Sequence, residues 1–197
     1  MSRLGALTLV LLLAACGPTP FTADVTRFTT LPATDGARSF TILPDPAQKG
    51  SLEFQQYANL VAEQLALRGW RPVPASADAQ AVVFIHWGVG APRTVAWESP
   101  AAMWTGWGPW YGGGIYQPFP YYQTEVTTTW PQWLSLEILD GPTWRAGTRM
   151  TLFEGKAVTE SGRPMINPNL PYLVRAIFSG FPGISGHTVK VEIPPSQ

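Results

Sequence analysis

Few side chains in this chain of 197 residues are suited to acid–base or metal chemistry at neutral pH. The two histidines, His86 and His187, fall on separate predicted strands. We expect His86 to be a hydrogen-bonded histidine of the core or of a sheet edge, because no His or Cys stands at a metal-ligand spacing from it. The run Gly183-Ile184-Ser185-Gly186-His187 follows a predicted helix. A nucleophile elbow instead follows a strand, so we predict an ordinary turn.

The remaining candidates for catalysis are scattered carboxylates and two glycine-rich runs. The acidic residues show no spacing typical of an acid and base pair: Glu53, Glu63, Glu98, Glu125, Glu137 and Asp140. The runs 88–90 and 112–114 match neither phosphate-loop pattern. We therefore predict a non-enzymatic protein with no metal and no cofactor. An alternative stays open, in which folding brings two carboxylates together in a glycan-acting hydrolase.

The single cysteine, Cys16, stands where lipid attachment is expected. A positive start and the apolar run 4–13 precede two alanines and then Cys16. This is the layout of an exported precursor, and the run is too short to span a bilayer, which takes about 20 residues. Leu13-Ala14-Ala15-Cys16 resembles the lipobox of bacterial lipoproteins. The resemblance implies that residues 1–15 are a cleaved signal peptide and that Cys16 carries acyl chains.

A lipidated Cys16 would fix the location of the protein. Each buried methylene contributes about 0.8 kcal/mol, so several acyl chains hold a protein firmly on a membrane. Gly17 follows the cysteine. An aspartate at this position would resemble the inner-membrane retention signal of some enterobacterial lipoproteins, and this chain lacks it. We therefore expect an outer-membrane anchor with the domain facing the periplasm of a bacterial cell envelope. Residues 16–22, with two prolines, predict a short lipidated tether.

Composition limits the partners and the number of domains. The chain has 13 basic and 13 acidic residues and no basic patch, so we do not expect nucleic acid as a partner. The 20 prolines, 19 glycines and 9 tryptophans indicate long ordered loops and aromatic surfaces, because disordered segments are poor in aromatic residues. We predict one domain over residues 23–197.

Hydrophobic periodicity predicts the order of the elements. Strands are predicted at 24–28, 38–43, 81–85, 133–138, 148–158 and 188–193. One helix is predicted from Ser51 to Arg68, and a second begins near Asn167 or Asn169, whose side chains can cap it. The order β-β-α-β, insertion, β-β-α-β predicts an α+β two-layer sandwich, a mixed β-sheet with two helices on one face. The strands at 38–43 and 81–85 should be parallel.

Residues 99–122 form an insertion rich in Trp, Tyr, Gly and Pro. The candidate binding residues within it are Trp104, Trp107, Trp110, Tyr111, Tyr116 and Tyr121. Aromatic rings with a polar group can stack on sugars or lie at a membrane interface. They can also fold back and cover one sheet face as a satellite core. Both interpretations stay open.

Successive blocks of the chain resemble one family of bacterial envelope lipoproteins, the domain-of-unknown-function family 4136. The blocks are Asp24–Phe28, Phe40–Pro44, Leu65–Trp70, Ala79–Ile85 and Leu173–Gly186. The resemblance implies an envelope lipoprotein and transfers no catalytic residue. We expect a membrane-anchored protein that binds an envelope protein or a cell-wall polymer. Besides the hydrolase, the other alternative is a structural protein that self-associates through its aromatic loop.

Overall fold

The computed structural model describes residues 19–32, 36–75, 78–101 and 121–194. Within these residues the chain is an α+β protein with an eight-stranded mixed sheet, as predicted. The strands are β1 (Phe21–Thr29), β2 (Ser39–Ile42), β3 (Arg71–Pro72), β4 (Ala81–Val89), β5 (Arg93–Ala101), β6 (Tyr121–Asp140), β7 (Thr151–Ser161) and β8 (His187–Ile193). The helices are α1 (Leu52–Ala66), α2 (Gly141–Arg145) and α3 (Leu170–Phe178).

The sheet runs in the order β3-β2-β4-β6-β7-β1-β8, and β5 pairs with β6 outside this sequence. Strand β2 is parallel to β3 and β4, whereas the other pairs are antiparallel. The predicted parallel pair is therefore confirmed, with Phe40 opposite Ala81 and Ile42 opposite Val83. Among the described residues, no helix is long and apolar enough to cross a membrane.

Helix α1 contributes one apolar stripe to the main core. Its buried side chains recur at steps of three and four residues: Phe54, Tyr57, Val61 and Leu65. The Ser51 hydroxyl accepts a hydrogen bond from the Phe54 amide at 3.2 Å, which is the predicted N-cap. Gly69 follows the helix with a φ of 83°, a left-handed conformation in which glycine is the least strained residue.

Helix α3 packs beside α1 on the same core, and its buried stripe is the predicted one: Leu170, Leu173, Val174, Ile177 and Phe178. Asn169 occupies the N-cap position, but its side chain does not cap the helix, so that expectation is wrong. Its amide nitrogen instead donates to Oε1 of Gln132 at 2.8 Å. Gln132 is fully buried, and it donates to the carbonyls of Arg163 and Met165. A buried polar group needs a hydrogen-bond partner, and the Asn169 side chain supplies one for the Gln132 amide oxygen.

Arg27 is a buried cation at the C-terminus of α3, with only 5% of its surface exposed. Its guanidinium donates to the carbonyl of Ile177 at 3.0 Å, of Ala176 at 2.9 Å and of Ser179 at 2.6 Å. Carbonyls at the C-terminus of a helix carry its partial negative charge, and that of Ala176 also accepts from the Ser179 amide at 3.2 Å. Burial lowers the pKa of Arg27 from its ordinary value. The three hydrogen bonds of its guanidinium tie β1 to the end of α3.

The opposite face of the sheet carries a smaller apolar cluster at one end. Val82, Phe84 and Leu139 are buried there, and Trp144 of α2 packs on Phe84 with ring centroids 5.2 Å apart. The sequence Asp140-Gly141-Pro142 begins at the last residue of β6. It forms the start of α2, because the Asp140 carboxylate accepts from the Thr143 amide at 3.0 Å and proline fits the first turn. The rest of this face carries half-buried and exposed side chains, such as Thr26, Glu154 and Lys156, and we call it the open face.

Candidate functional site

Strands β5 and β6 form a ribbon that extends from the body of the sheet. The second half of β6 pairs with β4 and β7, whereas Tyr121–Thr129 pairs only with β5. The register runs from Arg93 opposite Thr129 to Ala101 opposite Tyr121, nine residue pairs. At about 3.3 Å per residue, the ribbon is about 30 Å long. Neither β5 nor this half of β6 was predicted as a strand.

The ribbon exposes apolar side chains on both of its faces. Val95 and Trp97 share one face and are 59% and 45% exposed. Tyr122 and Val126 share the other face and are 57% and 61% exposed. Among the described residues, the outer edges of both ribbon strands have no partner strand. A two-stranded ribbon with unpaired edges is marginally stable alone and can add a strand from another chain.

The base of the ribbon is held to the sheet by one exposed ion pair. Nη1 of Arg93 lies 3.0 Å from Oε1 of Glu160 on β7, and the two side chains are 70% and 43% exposed. Exposed ion pairs contribute little, typically about 0–1 kcal/mol. The ribbon is therefore fixed in direction mainly by the continuity of β6 into the sheet.

The ribbon and the start of the domain lie at the same end of the sheet. Strand β1 runs parallel to β6, because each is antiparallel to β7. Asp24 and Trp133 both lie opposite Val158, so Phe21 is level with Trp130, where the ribbon begins. The start of β1 and the base of the ribbon therefore lie in the same region of the sheet.

Most of the predicted binding residues lie outside the described residues. This applies to Cys16, Trp104, Trp107, Trp110, Tyr111 and Tyr116. Tyr121 begins β6 opposite Ala101, and its side chain is not described. The two ends of the insertion, 99–101 and 121–122, are paired in β5 and β6. They stand at the end of the ribbon that is farthest from the sheet body.

The two histidines have ordinary structural partners. His86 lies on the open face, and its Nδ1 is 3.1 Å from Oδ2 of Asp45, with the two side chains about 40% exposed. His187 begins β8, and its Nδ1 lies 3.1 Å from the carbonyl oxygen of Ser185. The Ser185 hydroxyl accepts from the Thr29 amide at 3.1 Å. Ser185 and Gly186 form a turn before β8, as predicted.

Two carboxylates face each other on neighbouring strands of the open face, Glu137 on β6 and Glu154 on β7. Glu137 is buried, and the Arg149 guanidinium donates a hydrogen bond to each of its carboxylate oxygens, with Nε 3.1 Å from Oε1. Thr151 donates to the same carboxylate at 3.2 Å. Hydrogen bonding and charge from Glu137 raise the pKa of Arg149, with smaller contributions from Glu154 and Asp45. Three hydrogen bonds from Arg149 and Thr151 therefore hold the Glu137 carboxylate in place.

Metal-ligating side chains do not cluster in the part of the chain that the structure describes. Among those residues no group of three or more His, Cys, Asp or Glu could hold an ion.

Fold and surface together define a class: an α+β domain with two helices packed on a mixed sheet and a long exposed β-ribbon. Residues 24–183 match the model of the family "Domain of unknown function (DUF4136)". The chain belongs to this family.

Comparison with solved structures shows the fold alone. A PDZ domain protein from Parabacteroides distasonis has 11% identity and a TM-score of 0.51, over 95% of this chain and 42% of that one. The chain thus spans about two fifths of that structure. A PelC L103M dodecamer from Paraburkholderia phytofirmans has 12% identity and a TM-score of 0.43, over 80% of this chain and 95% of that one. A search of curated proteins gives no match.

Proposed function

We propose that the chain is a non-enzymatic lipoprotein of the bacterial envelope, anchored through Cys16, whose ribbon binds a partner protein at the membrane surface. The observation that carries this proposal is that the start of β1 and the base of the ribbon lie at one end of the sheet. Phe21 comes five positions after Cys16, so a tether between them reaches at most about 18 Å. The ribbon is longer, about 30 Å. A ribbon that leaves from the tethered end is therefore held close to the membrane.

A protein partner fits the ribbon best, because its edges offer unpaired backbone groups. A strand added to either edge gains main-chain hydrogen bonds, and apolar side chains such as Val95 and Val126 supply contacts above and below it. The same addition would convert a marginal two-stranded ribbon into a three-stranded sheet. An envelope protein embedded in or attached to the membrane would meet the ribbon at this height.

The anchor is tested by changing its only sulfur atom. We expect Cys16→Ser to move the protein from the membrane fraction to the soluble fraction of its native host, because the acyl chains have no other attachment site in the cysteine-free remainder. Intact-mass spectrometry of the wild-type protein should show residues 16–197 plus acyl chains. A wild-type mass without acyl groups would contradict the anchor, whatever the fractionation.

The ribbon is tested by making it more polar without changing its shape. Val95→Thr together with Val126→Thr keeps β-branched side chains but removes apolar contact area, so we expect at least about a tenfold loss of partner binding. The melting temperature should not fall, because both side chains are exposed. Val189→Thr makes the same change at a 42% exposed position on β8 and should leave binding intact. Equal binding by all variants would contradict the proposal.

A second candidate concerns lipid in place of protein. Residues 99–122 contain no charged side chain and many Trp and Tyr, a composition typical of membrane interfaces. The insertion would then lie in the lipid headgroup layer next to the anchor. Cys16→Ser protein, which lacks lipid, should in that case pellet with phospholipid vesicles. Failure to pellet would leave the protein partner as the function of the ribbon.

A further inference from the structure

The open face holds a hollow of about 390 Å³ on the side of the sheet away from α1 and α3. This volume lies within the range of about 300–1,000 Å³ that is typical of small-molecule sites. The residues that matter for its chemistry come from four strands: Thr26, Phe28, His86, Ser135, Glu154 and Lys156. The hollow is separate from the ribbon, which leaves the sheet beyond Trp133.

Strand register arranges these side chains in two adjacent rows. In the first row, His86 lies opposite Ser135, and Ser135 lies opposite Lys156. In the second row, Glu154 lies opposite Phe28. Neighbouring strands are about 4.8 Å apart, and residues two positions apart along a strand are separated by about 6.7 Å. Glu154 and Lys156 on β7 therefore bring opposite charges to positions about 6.7 Å apart along the same hollow.

Most charges around the hollow are already paired, and two are not. Asp45 pairs with His86, and Glu137 pairs with Arg149. Glu154 and Lys156 form no ion pair within 4 Å in the described residues. The Lys156 ammonium instead lies 5.3 Å from the ring centroid of Trp133, which holds it on the open face. The hollow thus offers one unpaired anion and one unpaired cation.

Each unpaired charge has a neighbour that suits a particular ligand group. Beside Glu154 stands the ring of Phe28, 52% exposed, and a carboxylate with an aromatic face is a good environment for an ammonium group. Beside Lys156 stands the Ser135 hydroxyl, and an ammonium with a hydroxyl donor suits a carboxylate. An extended peptide of two residues spans about 7 Å, close to the separation of the two groups.

We propose that this hollow binds a short peptide of two or three residues whose amino and carboxyl termini are both free. The amino terminus lies between Glu154 and Phe28, and the carboxylate lies between Lys156 and Ser135. This site is independent of the ribbon and of the partner proposed for it. His86 and Glu137 line the hollow, and their pairs with Asp45 and Arg149 need not change when the peptide binds.

The test is calorimetric titration of the full mature protein in detergent with L-alanyl-L-alanine and D-alanyl-D-alanine. We expect saturable binding of at least one dipeptide, and about a tenfold or greater loss of affinity when its amino group is acetylated or its carboxylate is amidated. Glu154→Gln and Lys156→Met should each weaken binding by a similar factor. Both side chains are exposed, so neither change removes a core contact.

Strand β8 supplies matched controls. Lys190→Met and Glu192→Gln make the same two substitutions at exposed positions with the same spacing, and both should leave the affinity unchanged. The proposal is overturned by an absence of saturable binding up to about 10 mM. It is equally overturned if capped dipeptides bind as well as free ones, or if the β8 variants weaken binding as much as the β7 variants.

Discussion

Arg27→Met unfolds at a much lower denaturant concentration than the wild-type protein, with an expected loss of about 3 kcal/mol in the free energy of unfolding. The substitution keeps an apolar stem of similar length but removes the guanidinium. Three carbonyls at and just after the C-terminus of α3 then lose the guanidinium as a donor. Urea denaturation followed by circular dichroism measures the effect, because the midpoint shifts while the slope is kept.

The control for this prediction is a cation without buried partners. Arg163 is exposed, so Arg163→Met should change the free energy of unfolding by less than about 0.5 kcal/mol. The free energy of unfolding of Arg27→Lys should fall between those of Arg27→Met and Arg163→Met. One ammonium cannot donate to three carbonyls in the directions that the planar guanidinium reaches. Equal stability of Arg27→Met and Arg163→Met would contradict the role assigned to Arg27.

Gly141→Ala destabilises the domain by about 3 kcal/mol or more, for a different reason. A Cβ at Gly141 would lie 2.0 Å from the carbonyl oxygen of Ala79 and 3.0 Å from the carbonyl carbon of Gln80, both backbone atoms. The chain cannot easily retreat, because the Gly141 amide donates to the Gln80 carbonyl at 2.8 Å. The start of α2 must therefore separate from Ala79 and Gln80, the residues just before β4. Thermal unfolding by calorimetry measures the loss.

Gly162→Ala is the matched control for that change. Gly162 is exposed, a Cβ there meets nothing within 4 Å, and its φ does not lie in the left-handed region. The substitution should leave the melting temperature unchanged or raise it slightly, because alanine restricts the unfolded chain more than glycine does. If Gly141→Ala has the same melting temperature as Gly162→Ala, the close packing at the start of α2 is not as described.

Elements that pack a stripe or a face on the core could be predicted from the sequence. The apolar steps of α1 and α3 follow from the helical repeat, and the buried run at Ala81–Ile85 identifies a central strand. The parallel pairing of β2 with β4 follows from the helix between them. These are local patterns that burial imposes directly on neighbouring residues.

The ribbon could not be predicted in the same way, because its described side chains are mostly exposed. Its strands therefore carry no alternation of buried and exposed side chains. The β-branched run Val126–Thr129 favours a strand, but it closely follows the aromatic segment 99–122, which is rich in Gly and Pro. Helix α2, with five residues, is too short to show a helical repeat.

The chemistry of the open face depends on strand register, which no spacing in the sequence reveals. Ser135, Lys156 and Thr26 stand in one row because three strands from distant parts of the chain align there. Arg27 was equally hidden. A single charged residue in a strand gives no sign that it is buried against the end of a helix whose carbonyls it serves.

The central claim is that the anchored protein presents its ribbon to a protein at the membrane, and in-cell photo-crosslinking tests it most directly. A photoreactive residue at Val126 should give a discrete protein adduct in the native host, and the adduct should weaken when Cys16 is replaced by Ser. Leu67 directly follows α1 and is 77% exposed. The photoreactive residue placed at this position should give no adduct. Adducts at Leu67 equal to those at Val126, or none at either position, would contradict the account.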